Sequence, residues 1–316
     1  MIIAGVIPCY KTPEKVINVI SQSYKYLDMV ICVDDCCPFN TGKEIENNFA
    51  DNKVHILYHN ENKGVGGAMK TGIKYALELG AKIIVKIDSD GQMSPDLIPS
   101  LINPIKSGKA DFTKGNRFRD PNVIFKMPTL RFIGNFFLSF LTKLSTGYWE
   151  LFDPTNGFIA INSSTLNLFN LNKIDNRYFF ETDILFRCSI NDIVVKEIPM
   201  EAKYDDETSN MYPIVEIPNF LTKHILVFYK RILYNYFIYD FNPGSISLVI
   251  SFLLGLGSIL FGGFYYYRGI LNQVQTPSGI QTLFLAMVFI SSQFLTNFIY
   301  YDVTQRPLFR KLRSLG

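Results

Sequence analysis

Short apolar runs alternate with longer amphipathic stretches through the first two thirds of the chain, and two long uncharged runs fill its last quarter. The runs at 2–8, 29–33, 54–58, 82–87 and 110–113 are rich in Ile, Val and Ala and predict short buried strands. Helical periodicity at 13–26, 66–79 and 95–105 separates them. This strand–helix rhythm predicts an α/β domain, a mostly parallel sheet with helices on both faces. At 127–144 and 220–239 aromatic and apolar residues mix with scattered Lys and Arg. These segments are either domain helices or helices lying in a lipid interface.

Residues 245–264 and 280–300 carry no charge, and each run as a helix is about 30 Å long, the thickness of a bilayer's hydrocarbon core. The second run carries Gln281, Ser291, Ser292, Gln293, Thr296 and Asn297, a polar face expected to pack on another helix. Tyr265, Tyr266 and Tyr267 after the first run, and Tyr300 and Tyr301 after the second, resemble interfacial belts. The pair therefore predicts a transmembrane hairpin. Lys223, Lys230 and Arg231 precede it and Arg306, Arg310, Lys311 and Arg313 follow it, whereas the connecting loop offers only Arg268. The positive-inside rule then places both termini and the N-terminal domain in the cytoplasm, at the inner cell membrane. The expected organisation is a catalytic domain at 1–218, juxtamembrane helices at 219–243, and the hairpin with a basic tail at 244–316.

Composition narrows the function. A formal net charge of +3 over 316 residues is too small to argue for a nucleic-acid partner. The five cysteines (Cys9, Cys32, Cys36, Cys37, Cys188) follow no metal spacing with His, and reduced thiols are the expectation. His55 and His59 are four apart in a strand and turn, where that spacing does not put them on one face. The chain opens directly on a strand pattern, so no cleavable signal is expected.

The richest chemistry lies at 83–92, Ile-Ile-Val-Lys-Ile-Asp-Ser-Asp-Gly-Gln. An apolar strand ends there in Asp88 and Asp90, followed by Gln92. Two carboxylates and an amide at a strand's open end suit a hard divalent cation that keeps coordination sites for phosphate oxygens. A plain acidic turn is the ordinary alternative for such a pair. Asp35, at another strand end, can accept hydrogen bonds from a base or a ribose, or cap its own turn. Arg117, in a Gly-Asn-Arg turn, and Arg131, with Asn135 one helical turn later, have the geometry for phosphate recognition. For an isolated Arg, a surface salt bridge is the ordinary alternative.

These pieces occur in a fixed order: Ile7-Pro8-Cys9-Tyr10, Val33-Asp34-Asp35, Asn62-Lys63-Gly64-Val65-Gly66-Gly67-Ala68, Asp88-Ser89-Asp90-Gly91-Gln92, Gly115-Asn116-Arg117, Asp153-Pro154-Thr155-Asn156-Gly157-Phe158 and Phe180-Glu181-Thr182-Asp183. Followed by a membrane hairpin, the set resembles an inverting family 2 glycosyltransferase of the GT-A fold, in the polyprenyl-phosphate group that includes dolichol-phosphate mannose synthases and undecaprenyl-phosphate glucosyltransferases. The resemblance implies that Pro8, Tyr10, Val33 and Asp35 line the nucleotide pocket, although Lys11 and Thr12 stand where the family has Asn-Glu. It implies that Asp88, Asp90 and Gln92 hold Mg²⁺ or Mn²⁺ on the donor diphosphate, with Ser89 beside them. Arg117, Arg131 and Asn135 would bind the lipid phosphate. Asp183 would serve as base or orienting group, with Glu181 able to share that task. Lys203, in the loop after Ile198-Pro199, would reach the diphosphate.

The implied reaction transfers one sugar from a UDP- or GDP-sugar to an undecaprenyl or dolichyl phosphate at the bilayer, by an enzyme that can form homo-oligomers. Two alternatives stay open: transfer to a sugar hydroxyl in glycan assembly, and nucleotide-sugar binding without turnover. A processive synthase is disfavoured by the small membrane part and by the lack of Gln-x-x-Arg-Trp, Trp149 being the single Trp.

Overall fold

In the computed structural model, residues 1–119, 129–200 and 213–305 are described, with side chains at 1–118, 133–200 and 217–304. Among them, seven strands form a sheet in the order β3-β2-β1-β4-β6-β5-β7. They are β1 (Ile3–Cys9), β2 (Met29–Asp34), β3 (Val54–Tyr58), β4 (Ile83–Lys86), β5 (Phe112–Asn116), β6 (Ile159–Asn162) and β7 (Val195–Pro199). The first four pair in parallel, with Pro8 opposite Val33 and Val6 opposite Lys86. β6 runs antiparallel to both β4 and β5, and β7 pairs parallel with β5. The sheet is thus mostly parallel, as its rhythm predicts, with one reversed strand.

Helices α1 (Pro13–Ser23), α2 (Thr41–Asn48), α3 (Val65–Glu78) and α4 (Ile98–Lys106) connect the parallel strands. Side chains alternate across the sheet, so each strand feeds two cores. Ala4, Val6, Ile31 and Ile84 meet Met69 and Ile73 of α3 on one face. Ile3, Ile7, Val30 and Val85 meet Val16 and Ile20 of α1 and Leu101 of α4 on the other. After β5 come α5 (Thr129–Thr146), α6 (Ser163–Asn167) and α7 (Phe180–Ile190).

Two helices invert the usual amphipathic arrangement. In α5 the buried residues are Ser139, Thr142, Ser145 and Thr146, while Ile133, Phe136, Phe137 and Phe140 are exposed. In α8 (Pro213–Leu233) His224 is buried while Ile217, Leu221, Ile225 and Tyr229 are exposed. Apolar faces turned outward in this way mark surfaces that meet something other than water.

The chain divides into two compact units, one running to Tyr229 and one beginning at Lys230. The second contains α9 (Pro243–Asn272) and α10 (Ser278–Tyr300), both long and apolar enough to cross a membrane. Their contact uses small residues at helical spacing. Ser291 donates to the Ser251 carbonyl at 2.8 Å, a Cβ at Gly255 would meet the Ser291 hydroxyl, and Gly262 lies against the Phe284 ring. Close approach of this kind is how helices associate where lipid removes the hydrophobic drive. Arg231 is fully buried, and its guanidinium forks onto Asp302 at 2.6 and 3.2 Å, with the Tyr236 hydroxyl donating to the same carboxylate at 2.6 Å. One of the cations counted for topology is therefore neutralised within this unit.

Candidate active site

The carboxyl ends of the parallel strands, where α/β sheets bind ligands, carry an ordered set of carboxylates. Asp34 closes the turn after β2, accepting the amides of Cys37 and Gly42, each at 2.7 Å. Asp35 is buried and fully engaged. It accepts the Lys63 amide at 2.8 Å and the Gly64 amide at 2.7 Å, and lies 2.7 Å from His59 Nδ1. Gly64 supplies the left-handed backbone (φ +82) that presents its amide, and a Cβ there would lie 2.7 Å from the Asn176 carbonyl. Asp35 and the glycine-rich segment at 62–68 are therefore one structure. The aspartate expected to meet a base or a ribose anchors the glycine-rich loop.

Of the other residues expected around the nucleotide, Pro8 and Tyr10 are half-buried at the end of β1. Val33 is fully buried in the core beneath α3 and presents no surface to a ligand. Lys11, exposed with φ 61, stands its ammonium 5.2 Å from the Tyr10 ring centroid, where the family pattern has an amide. Ser89 is buried and its hydroxyl accepts from Thr12 at 2.8 Å, fixing the turn between Asp88 and Asp90 to the loop after β1.

Around Asp88 the charges are arranged in a row. Lys86, 2% exposed inside an otherwise apolar strand, places its ammonium 2.5 Å from Asp88 Oδ1 and 3.3 Å from Glu181 Oε1. Burial opposes the lysine's charge, but the two carboxylates outweigh it and hold its pKa above the usual range. Asp90 accepts the Gln92 amide at 3.0 Å, and burial, followed by the nearby Asp88 charge, raises its pKa. Gly157 lies over this pair: a Cβ there would collide with Lys86 Nζ and come within 2.7 Å of Asp88 Oδ2.

Two cations fasten the loop that carries Gly157. Arg117 forks onto Asp153, with Nε–Oδ2 and Nη2–Oδ1 both at 2.8 Å, and its amide reaches Oδ2 at 3.0 Å. Burial works against the Asp153 charge, but Arg117 outweighs it and keeps that carboxyl below the usual range. Lys114, fully buried, donates to the Pro154 carbonyl at 3.1 Å and the Asn156 carbonyl at 2.5 Å, and burial pushes its pKa down to about 8. Glu197 of β7 accepts the amides of Phe152 and Asp153 at 2.7 and 2.9 Å. The Gly-Asn-Arg turn and the 153–157 loop form one clamp, and in it Arg117 serves the protein's own carboxylate.

The acidic motif on α7 divides in two. Glu181 reaches Lys86, whereas Asp183 accepts the Asp175 amide at 2.8 Å and pairs with Arg187 at 3.4 Å. Burial raises the Asp183 pKa in spite of that arginine. The carboxylate turned toward the Asp88 cluster is Glu181. Of the expected phosphate ligands, Asn135 is half-buried on α5 among exposed aromatic residues. The Arg131 side chain and all of Lys203 lie outside the described residues.

Glu197 and Lys114 lie outside the motifs read from the sequence, and Lys86 and Asp153 lie within them without an assigned role. The available signal was the lysine closing the apolar strand at Lys86, since a charge is buried there only when partnered; Lys114, in Phe-Thr-Lys-Gly-Asn, gave none. The donor set fits a hard divalent cation. Asp88 Oδ2 and the Asp90 carboxylate are oxygen donors at one strand mouth, and Gln92, whose backbone amide is bound to Asp90, carries a third oxygen-bearing group next to them in sequence. Among the described residues no group of three His, Cys, Asp or Glu side chains is placed to hold a metal ion by itself, so the set at this strand mouth is two carboxylates. An open set of this kind leaves positions for phosphate oxygens.

Three comparisons place this architecture. Residues 6–169, over half of the chain, match the sequence model of "Glycosyl transferase family 2". The chain is 35% identical over 216 residues to the UDP-N-acetylglucosamine–dolichyl-phosphate N-acetylglucosaminyltransferase of Methanococcus voltae, covering 64% of this chain and 85% of that protein. It is 30% identical over 173 residues to the undecaprenyl-phosphate mannosyltransferase of Micrococcus luteus, covering 54% and 70%. Among solved structures, mannosyl-3-phosphoglycerate synthase from Rubrobacter xylanophilus superposes with a TM-score of 0.55 at 13% identity, over 77% of each chain. Glucosyl-3-phosphoglycerate synthase from Mycobacterium tuberculosis, solved with Mn²⁺ and UDP, gives 0.54 at 16% identity, over 73% of this chain and 79% of that one. At such identities the structural likeness establishes the GT-A fold alone. The sequence matches go further, and with them the chain belongs to glycosyl transferase family 2.

Proposed function

We propose that the protein transfers a single sugar from a nucleotide-sugar donor, a UDP- or GDP-sugar, to a polyprenyl phosphate at a membrane surface, with inversion at the anomeric carbon. The similarity to the Methanococcus voltae enzyme, 35% over 85% of its length, carries the reading. The outward apolar faces of α5 and α8 and the two long apolar helices support it.

In this proposal Asp88, Asp90 and Gln92 hold Mg²⁺ or Mn²⁺, which when bound offsets charge on the leaving nucleoside diphosphate. Lys86 and the Gly157 backbone fix the Asp88 carboxylate, and Asp35 fixes the loop beside the nucleotide. The acceptor phosphate, with its second pKa near 6, is largely dianionic at neutral pH. One of its oxygens bonds to the anomeric carbon as the carbon–oxygen bond to the diphosphate breaks. No proton has to be removed, so Asp183 is free to serve structure. Arg131 at the start of α5 receives the phosphate with Asn135; Arg117 contributes through the loop it clamps, and Lys203, by the family pattern, is the cation for the diphosphate. The catalytic domain and both termini face the cytoplasm.

Membranes containing the protein, incubated with a panel of labelled UDP- and GDP-sugars plus undecaprenyl or dolichyl phosphate, test the proposal. Metal-dependent passage of label from one donor into the organic phase is expected. Retention of all label in the aqueous phase with every donor would overturn it.

A further inference from the structure

Behind its exposed apolar face, α8 carries Phe220, Lys223, His224 and Val227 at helical spacing, all of them half-buried or buried. Lys223, one of the cations counted for topology, donates to Asp175 Oδ2 at 2.5 Å, and both side chains are largely withdrawn from water. Its ammonium stands 5.7 Å from the Phe179 ring centroid, and the His224 ring packs on that same phenyl at 5.1 Å.

Asp175 belongs to a strap, residues 174–176, whose three carbonyls all meet α3. The Ile174 carbonyl accepts the Lys70 ammonium at 2.9 Å, and the Asn176 carbonyl accepts the Gly67 amide at 2.9 Å. Between them the Asp175 carbonyl lies so close to Gly66 that any Cβ there would collide with it. Gly66 and Gly67 follow directly on Lys63 and Gly64, whose amides are bound to Asp35. The strap is therefore the outer wall of the glycine-rich loop. On its other side the Asp175 amide donates to Asp183 at 2.8 Å. Phe179, the second residue that α8 grips, caps α7 two positions before Glu181, which reaches Lys86.

We infer that Lys223 is a positioning residue for the nucleotide, acting through Asp175 on the glycine-rich loop. The inference rests on the nucleotide-sugar donor of the proposed function. Asp175 is fastened at both oxygens: Oδ2 holds Lys223, and Oδ1 accepts the Arg177 amide at 2.8 Å, closing a turn with Asn176 at its centre. A carboxylate deprived of its ammonium swings toward water, because leaving it unpaired and half-buried is costly. That swing opens the turn, and the Asn176 carbonyl leaves the Gly67 amide. Lys223 lies on the side of α8 opposite Ile217, Leu221 and Ile225, so its charge is engaged within the domain and not with a lipid phosphate.

The test is titration calorimetry of the full chain in detergent with UDP and with GDP, each with Mn²⁺ and without acceptor. The wild type is expected to bind one of them. Lys223→Met should weaken that binding about tenfold, and Lys223→Arg should restore most of it. Asp175→Asn, whose amide oxygen still accepts from Arg177, should show a similar loss. Combined with Lys223→Met it should lose little more, since the two residues act as one pair. Melting curves identify variants that are folded at the temperature of the titration, and Asp175→Asn carries the test if Lys223→Met is not. Unchanged nucleotide affinity in the folded variants, or fully additive losses, would overturn the inference and leave the transfer reaction standing. A wild type that binds a nucleotide in this Lys223-dependent way but labels no lipid phosphate would keep the inference and overturn the acceptor. Binding of neither nucleotide would overturn both.

Discussion

Lys86 joins Asp88 and Glu181 through one buried ammonium, 2.5 Å from the first carboxylate and 3.3 Å from the second. The three residues come from the end of β4, the loop after it and the start of α7, so the pairing ties the mouth of β4 to the helix bearing the acidic motif. Replacing the lysine by an apolar residue would leave two carboxylates without their counter-charge. Lys86→Met should cost about 3–5 kcal/mol of stability, read by denaturation in detergent. Its transfer rate should fall by about 10–100-fold, as for other groups that orient metal-binding residues. Lys86→Arg should recover part of both.

Gly157 is required by space rather than by backbone conformation. Its Cα lies against the Lys86 ammonium and Asp88 Oδ2, so Gly157→Ala must displace that pair or the loop clamped by Arg117 and Lys114. Lower affinity for Mn²⁺, measured by titration calorimetry, is expected together with a reduced rate. An alanine variant with unchanged metal affinity would separate the loop from the site.

Glu181 and Asp183 should behave differently. A general base contributes typically 10²–10⁴-fold. Because a phosphate nucleophile needs none, Asp183→Asn should change the transfer rate by less than about tenfold, its new amide oxygen still accepting the Asp175 amide. Glu181→Gln should cost more, since it removes half of the charge around Lys86. The reverse order in steady-state kinetics would favour a hydroxyl acceptor.

His224 sets a pH dependence of stability. It is buried against the Phe179 ring and within 2.8 Å of the Ser145 hydroxyl, and burial lowers its pKa to about 4 from 6.5. The unfolded chain therefore takes up a proton as pH falls through 6.5, and the folded one only near 4. The stability of the neutral state is full above pH 6.5 and is lost as pH falls toward 4, by about 3 kcal/mol in all. Thermal melts of the wild type between pH 7 and 4 should decline more steeply than those of His224→Gln.

The parts legible in sequence are those where one requirement dominates. β4 reads as a strand because a central parallel strand is apolar on both faces, and Asp88, Asp90 and Gln92 stand out at its end. The two long apolar helices read from length and lack of charge. β6 was not legible: it has four residues, too few to show a period, and its reversal between β4 and β5 is a matter of topology. Asp35 reads as a ligand contact from its position after β2, yet the amides that occupy it come from residues 28 and 29 positions away. Arg117 reads as a phosphate ligand for the same reason, since its partner Asp153 lies 36 residues on. The polar residues of α10 read as one face that packs on another helix, whereas in the structure Ser291 turns to α9 and Gln293 and Asn297 are exposed. Composition gives the chemistry of such residues, and the fold decides which group consumes it.

The central claim is that the nucleophile is a phosphate on a long lipid. The most direct test gives the enzyme, with its donor sugar and Mn²⁺, two acceptors of the same prenyl length in identical vesicles: the polyprenyl phosphate and the free polyprenol. The account predicts transfer to the phosphate alone, yielding a charged lipid-phosphate sugar, with no product from the alcohol. Equal or preferential glycosylation of the polyprenol would contradict it.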